Sequence, residues 1–142
     1  MISASGKPRA VTVSVDGVPV TTFNETAHSF KIGEANYAIK RRGLFAPDME
    51  LWRGEEPIIS VHKEALRNRS SFSYLGQTFR LNAAGITARA FALYLGDKQV
   101  GSIAPKQMMA FKEIAVDLPS EFPLEIQVFL IWLVVRSWSD NS

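Results

Sequence analysis

The chain has 142 residues, of which 46% are hydrophobic and 21% are charged, and its formal net charge at pH 7 is +2. This length suits one domain with a real core, and the apolar content excludes an intrinsically disordered chain. The chain has no cysteine, which excludes disulfides, thiol nucleophiles and cysteine-ligated metal sites and fits a reducing cytoplasm. The small positive charge gives only a modest preference for anionic partners.

The first part of the chain predicts a β-hairpin. Residues 1–8 show no signal-peptide pattern, and we expect them to form a loose leader. Residues 9–23 alternate apolar and polar side chains on both sides of Asp16 and Gly17, and an Asp-Gly pair in this setting is a strong hairpin signal. We therefore assign residues 9–34 to an N-terminal hairpin and one further strand.

An internal duplication with an offset of 42 residues organises the next part of the chain. The two copies are residues 35–76 and 77–118, and at this offset Leu51 falls on Leu93. Each copy is predicted to contain four antiparallel strands joined by glycine-containing turns. Together with the N-terminal hairpin, the chain is expected to form about 10–12 strands.

The C-terminal stretch, residues 119–138, predicts a helix that is apolar on every face. Residues 128–135 are an unbroken apolar run, and the stretch is too long for an ordinary strand. Ser120 is a candidate N-cap, and Pro123 fits the first helical turn. A membrane span needs about 20 apolar residues, and this run is shorter, so we predict a core helix. The alternative is a tail anchor formed by residues 122–138.

These elements predict a mainly β fold, in which a closed antiparallel β-barrel surrounds the central hydrophobic helix. A sheet of this size must close or leave exposed edges that invite aggregation. Closure around an apolar helix gives the helix a dry environment and gives the inward face of every strand something to pack against. We therefore expect a single domain over residues 1–142 with no transmembrane span. Phe129, Trp132 and Trp138 are then core residues rather than an aromatic membrane belt.

Three stretches of the chain resemble the tubby C-terminal-like superfamily, which includes the tubby domain, the phospholipid scramblases and small bacterial relatives. They are YAIKRRGLFAPDMEL (37–51), LGDKQVGSIAP (95–105) and AVDLPSEFPLEIQVFLIWLVVRSW (115–138). The resemblance covers residues 35–138 and implies a final hydrophobic helix. It also implies membrane-related functions, since tubby domains bind phosphoinositides through surface basic residues and scramblases are linked to membranes and calcium. The chain departs from the scramblase pattern, because it has no cysteine to palmitoylate and only Asp117 and Glu121 as acidic residues beside the helix start.

A basic cluster is the candidate binding site in the sequence. Its densest run comes just before the Gly43 turn, and clusters of four to eight Lys or Arg side chains recognise anionic lipid head groups. The second copy has Asn82 followed by two alanines at the matching positions, so the fold does not require this basicity. The candidate lipid- or anion-binding residues are Lys40, Arg41, Arg42, Arg53, Lys63, Arg67 and Arg69. The alternative is a solvated turn and strand face that nearby acidic residues, among them Asp48 and Glu50, neutralise.

The sequence predicts a binding module rather than an enzyme. His28 and His62 are the only histidines and lack the spacing of a metal site, so we expect no metal and no other cofactor. We predict no catalytic residue, because no P-loop, dinucleotide or G-x-S-x-G motif is present.

The predicted partner is anionic phospholipid or a protein, with the chain in the cytoplasm and peripheral to the inner membrane face. Nucleic acid is not expected, because the one predicted helix is too apolar to lie in a groove. The alternatives are a protein-interaction or structural protein without lipid affinity, and a tail-anchored membrane protein. The sequence does not predict the oligomeric state.

Overall fold

The computed structural model of the protein describes residues 1–7, 9–43, 48–64, 69–84, 89–106 and 113–140. In these residues twelve antiparallel strands form one sheet, and a single α-helix follows. The strands are β1 (Ile2–Lys7), β2 (Ala10–Val15), β3 (Val18–Phe23), β4 (Ser29–Ile32), β5 (Ala35–Arg42), β6 (Asp48–Arg53), β7 (Glu56–Lys63), β8 (Arg69–Tyr74), β9 (Gln77–Ala84), β10 (Ala90–Leu95), β11 (Lys98–Pro105) and β12 (Glu113–Asp117). The helix α1 spans Leu124–Asp140. The predicted mainly β fold is therefore confirmed.

The sheet curls into a nearly closed barrel. Every strand pairs with its neighbours in the chain except that β3 does not pair with β4 in the described residues, and β1 also pairs with β12, with Ala4 opposite Ile114. The strand order therefore ends at β3 and β4, which are themselves consecutive in the chain. The described part of the sheet has one seam, and it lies between these two strands.

Residues 2–7 form a strand, so the prediction of a loose leader over residues 1–8 is wrong. β1 lies between β2 and β12 and pairs with both, so it connects the N-terminal strands of the sheet to the C-terminal ones. Ala4 faces the core with 4% exposure, whereas Ser3 and Ser5 on either side of it are exposed. The hydrophobic signal of this strand is weak because its central inward side chain is only a methyl group.

The helix α1 fills the interior of the barrel. The side chains from Val128 to Trp132 are all 0% exposed, and Trp138 is 4% exposed. A helix buried on every face matches the apolar pattern of the sequence, so the prediction of a core helix is confirmed. No helix in the described ranges has the length and apolar character needed to cross a membrane.

The helix begins later than predicted. Leu124 is its first residue, and the carbonyl of Pro123 accepts the first helical hydrogen bonds. Ser120, the predicted N-cap, lies instead in a preceding turn, in which the Phe122 N–H donates to the Pro119 carbonyl at 3.1 Å. This turn carries Phe122, which is 2% exposed, into the core, where its ring packs edge-on against aromatic rings of β8 and β9.

The two predicted copies fold alike. β5, β6, β7 and β8 of the first copy correspond to β9, β10, β11 and β12 of the second. In each copy the pairing of the second and third strands shifts register at the same place, which is after Leu51 in one and after Leu93 in the other. These two positions differ by the predicted offset of 42 residues.

β1–β4 are a third four-strand unit, which the sequence analysis did not find. β2 and β3 pair Val13 with Thr21 and then shift register after Val13, as Leu51 pairs with Ile59 before the equivalent shift. The first connection of this unit is shorter than its counterparts, since only residues 8 and 9 separate β1 from β2. The barrel is therefore built from three similar units.

Candidate functional site

The strand connections give the barrel two different ends. The turn end carries the two-residue turns that follow β2, β4, β6, β8 and β10, together with the entry into α1. The loop end carries the connections that follow β1, β3, β5, β7, β9 and β11, together with the C-terminal part of α1. Residues 8, 44–47, 65–68, 85–88 and 107–112 of those connections lie outside the described residues.

Lys40 and Arg42 lie on the outer face of β5, where both contact side chains of β6. Arg42 Nε lies 2.7 Å from Glu50 Oε1, and the same oxygen accepts a hydrogen bond from Trp52 Nε1 at 3.2 Å. Lys40 Nζ lies 4.0 Å from the centroid of the Trp52 ring, within the range of a cation–π interaction. The Arg42–Glu50 pair supports the alternative interpretation of this face, in which nearby acidic side chains neutralise the basic run, whereas Lys40 contacts an uncharged ring.

Asp48 continues this outer-face network to β7. Its Oδ1 lies 2.6 Å from His62 Nδ1, and Ser71 of β8 lies opposite His62, so an acid, an imidazole and a hydroxyl form one row. The side chains of His62 and Asp48 are 55% and 43% exposed. Catalytic triads act in sites from which water is largely excluded, so the exposure of this row favours a surface network over a hydrolytic site.

The other predicted basic residues are divided between the two ends. Arg41, Lys63 and Arg69 lie at the loop end, where β5 and β7 finish and β8 starts. Arg53 is the last residue of β6 and lies at the turn end. Arg67 lies outside the described residues.

The surroundings of Arg53 differ from those of the loop end. Burial raises the pKa of the Tyr37 phenol above its ordinary value of 10.0, the Glu125 carboxylate raises it further, and the Arg53 guanidinium opposes the rise. Tyr37 lies opposite Arg53 in the β5–β6 pairing. Arg53 is therefore close to the start of α1 and remote from the other predicted cations.

Sequence reasoning missed two cations at the loop end. Lys7 ends β1 and Arg9 follows it in the turn to β2, and both are exposed. The third unit of the fold would have revealed them, because this turn corresponds to the connection after β5. We call Lys7, Arg9, Arg41, Lys63 and Arg69 the loop-end cations. Across the described ranges, none of these five side chains has a salt-bridge partner.

Most carboxylates at the loop end are already paired with other cations. Glu113 Oε2 lies 3.6 Å from Lys106 Nζ, and Glu25 Oε2 lies 3.8 Å from Arg136 Nη1. Glu50 is paired with Arg42, whereas Asp48 contacts the His62 imidazole, which is charged only if protonated. Asp48 and Glu64 are therefore the carboxylates that can offset the five loop-end cations. The uncompensated charge of the described loop end is therefore positive.

The loop-end cations surround the end of the barrel and do not converge on one point. β1 and β7 lie half-way around the twelve-stranded order from each other, which puts Lys7 and Lys63 on opposite sides. With strands about 4.8 Å apart and tilted by about 40°, such a barrel is about 24 Å across. A single small anion cannot contact cations this far apart, whereas a flat anionic surface can contact all of them.

A cleft of about 390 Å³ lies at the turn end, between β1, β12 and the start of α1. Its lining is mainly apolar and includes Ile2, Val116 and Leu124, with Asp117 as a carboxylate in the wall. This cleft and the loop-end cations lie at opposite ends of the barrel. The Asp117 carboxylate also disfavours an anionic ligand in the cleft. Within the described parts of the chain, no group of three or more His, Cys, Asp or Glu side chains is placed to hold a metal ion.

Comparison of the chain with protein-family models, with curated proteins and with solved structures gave no match. The resemblance to the tubby C-terminal-like superfamily therefore stays a prediction.

Proposed function

We propose that the protein is a non-enzymatic binding module that attaches to anionic phospholipid head groups at the cytoplasmic face of a membrane. The observation that carries this proposal is the ring of loop-end cations, which lack carboxylate partners in the described residues and lie at one end of the barrel. A ring about 24 Å across fits a flat surface better than a compact ligand. The loop end therefore lies against the membrane, and the turn end points away from it.

The strength of this attachment follows from the number of cations. Each Lys or Arg near an anionic membrane surface contributes about 1 kcal/mol, and clusters of four to eight are typical of anionic-lipid recognition. The loop-end cations lie within that range. Removing three of them would weaken binding by about 3 kcal/mol, or roughly 100-fold, at low ionic strength. Arg42 contributes less, because Glu50 already compensates its charge, and Lys40 contributes less, because its ammonium group lies over the Trp52 ring.

Vesicle co-sedimentation tests the proposal directly. The protein is mixed with vesicles of pure phosphatidylcholine or of equal parts phosphatidylcholine and phosphatidylserine, at about 0.01 M and about 1 M salt. We expect binding to the phosphatidylserine vesicles at low salt and its loss at high salt, because exposed charges are screened beyond about 3 Å at 1 M. The triple variant Arg9→Gln, Arg41→Gln, Arg69→Gln is expected to lose roughly 100-fold in affinity.

A control variant with the same net charge separates the site from a general charge effect. Lys31, Arg53 and Lys98 are exposed cations at the turn end, and their replacement by Gln also removes three positive charges. This variant is expected to bind vesicles within a few-fold of the wild type. Equal losses in the two triple variants would refute a specific role for the loop end. Binding to neither vesicle at low salt would refute lipid attachment and favour a protein partner with an acidic surface.

A further inference from the structure

The turn end of the barrel carries the opposite charge to the loop end. Its exposed carboxylates outnumber its exposed cations, which are Lys31, Arg53, Lys98 and the Arg80 side chain that donates to the Gly96 carbonyl at 2.8 Å. The turn-end carboxylates, which have no salt-bridge partner in the described ranges, are Glu34, Glu55, Glu56, Asp97, Asp117 and Glu121. Uncompensated charge is therefore separated along the barrel axis, negative at one end and positive at the other.

An exposed leucine lies within this acidic end. Leu75 is 79% exposed and occupies the first position of the β8–β9 turn. The turns on its two sides carry Glu55 and Asp97, because the β6–β7 and β10–β11 turns flank the β8–β9 turn. The turn end thus offers an apolar side chain between acidic turns.

The turn itself does not require a leucine at this position. Leu75 has φ 49°, a left-handed conformation that disfavours a bulky side chain by about 1–2 kcal/mol. The corresponding β4–β5 turn has Gly33, with φ 59°, at the same place. Packing within the barrel does not explain Leu75 either, since the side chain projects into solvent.

We propose that the turn end of one copy of this chain docks onto the loop end of a second copy. In the described residues, the uncompensated charges of the two ends are opposite in sign. Leu75, which lies between two acidic turns, supplies an apolar contact in this interface. A contact between two different surfaces of the same chain is heterologous, so it can repeat from copy to copy along the barrel axis. This interface does not depend on lipid binding, although both use the loop end.

The size of the contact predicts that it is weak. An end about 24 Å across has an area of about 450 Å², so two ends bury at most about 900 Å² in total. Stable interfaces bury about 1,200–2,000 Å². Association dominated by charge is also lost when salt screens the two surfaces. We therefore expect a reversible assembly that is visible at high protein concentration and low ionic strength.

Sedimentation velocity of the full chain over a range of concentrations tests this interface. At about 0.01 M salt, where the Debye length is about 30 Å, the sedimentation coefficient should rise with concentration. At about 1 M salt, where this length is about 3 Å, it should stay at the value of one 15.8 kDa chain. A single-chain coefficient at every concentration in low salt would overturn the proposal.

Two variants, each with one end altered, identify the surfaces. The turn-end variant is Glu55→Gln, Glu56→Gln, Asp97→Asn, and the loop-end variant is Arg9→Gln, Arg41→Gln, Arg69→Gln. Each variant alone should sediment as a single chain, because each lacks one of the two complementary ends. An equal mixture should form a complex of two chains and nothing larger, since the intact loop end of one variant meets the intact turn end of the other. Self-association of either variant at the wild-type level would refute the end-to-end contact.

Variants of Leu75 test the apolar contact, and vesicle binding of the turn-end variant serves as a control. Leu75→Asn should weaken association several-fold while leaving the protein folded, because Asn tolerates the left-handed backbone better than Leu. Leu75→Met, which keeps an apolar side chain, should associate like the wild type. The turn-end variant should keep wild-type vesicle binding. Loss of assembly with intact vesicle binding therefore separates this interface from the proposed lipid function.

Discussion

The helix inside the barrel leads to a quantitative prediction for two leucines of α1. Leu130 is 0% exposed, whereas Leu133 is only partly buried. Truncation of Leu130 to Ala removes a fully buried side chain, which corresponds to about 1.5–3 kcal/mol of lost transfer free energy. The close-packed surroundings relax only partly around the resulting cavity, and the total loss is expected to be about 2–5 kcal/mol.

The same change at Leu133 is expected to lower the free energy of unfolding by about 1–2 kcal/mol, because part of this side chain already contacts water. Leu75→Ala, at a leucine that is 79% exposed, is a control expected to change stability by less than about 0.5 kcal/mol. Urea unfolding followed by tryptophan fluorescence measures all three variants. With a denaturant slope of about 1–3 kcal/mol per molar, the Leu130→Ala midpoint should fall by about 1 M or more.

A charged replacement at Leu130 is a second test of the burial of α1. Leu130→Asp puts an unpaired carboxylate into the core, and such a charge costs several kcal/mol against a total stability of about 5–15 kcal/mol. We expect this variant to be insoluble or unfolded. A folded Leu130→Asp protein, or equal urea midpoints for Leu130→Ala and Leu75→Ala, would refute the placement of α1 at the centre of the barrel.

Two further predictions follow from local geometry. A Cβ atom at Gly101 would lie 2.5 Å from the Asp117 carbonyl oxygen, so Gly101→Ala must separate β11 from β12. This change should lower the free energy of unfolding by about 1–3 kcal/mol, and an unchanged urea midpoint would contradict it. The raised pKa of Tyr37 means that the folded state holds the phenolic proton longer than the unfolded state, so its stabilisation is complete below pH 10 and is lost as the pH rises further. Tyr37→Phe should therefore lose less stability than the wild type between about pH 9 and 11 in urea unfolding, and parallel losses would show that Tyr37 does not contribute.

The sequence predicted the barrel because its local signals agree with one another. Strands with inward apolar side chains and two-residue turns define most of the hairpins, and an apolar helix supplies what their inward faces need. The third unit was missed because its first connection is shorter and because β1 offers only Ala4 as its central inward side chain. A search for a repeat with one fixed offset cannot find a copy whose loops have a different length.

The candidate site was harder to predict because its charge balance depends on strand register. Lys40 lies opposite Glu50 across β5 and β6, but the connection between these strands is a longer loop, and only tight turns fix register from sequence. The sequence therefore could not separate Lys40 and Arg42, which contact side chains of β6, from the uncompensated Arg41. It also could not place Lys7 at the same end of the barrel as Arg41, because residues 1–8 were not predicted to form a strand.

The helix α1 also contacts the barrel at its seam, where β3 and β4 do not pair in the described sheet. Trp132 Nε1 donates to the Ala27 carbonyl at 3.2 Å, and Arg136 Nη1 donates to the Glu25 carbonyl at 3.2 Å, so α1 holds the connection between β3 and β4 from inside. The two edge strands are also protected, since β4 has only four residues and β3 contains Pro19, which lacks an N–H to donate. These features disfavour pairing of the seam with a further strand. A protected seam agrees with the proposal that copies of this chain contact each other through the barrel ends.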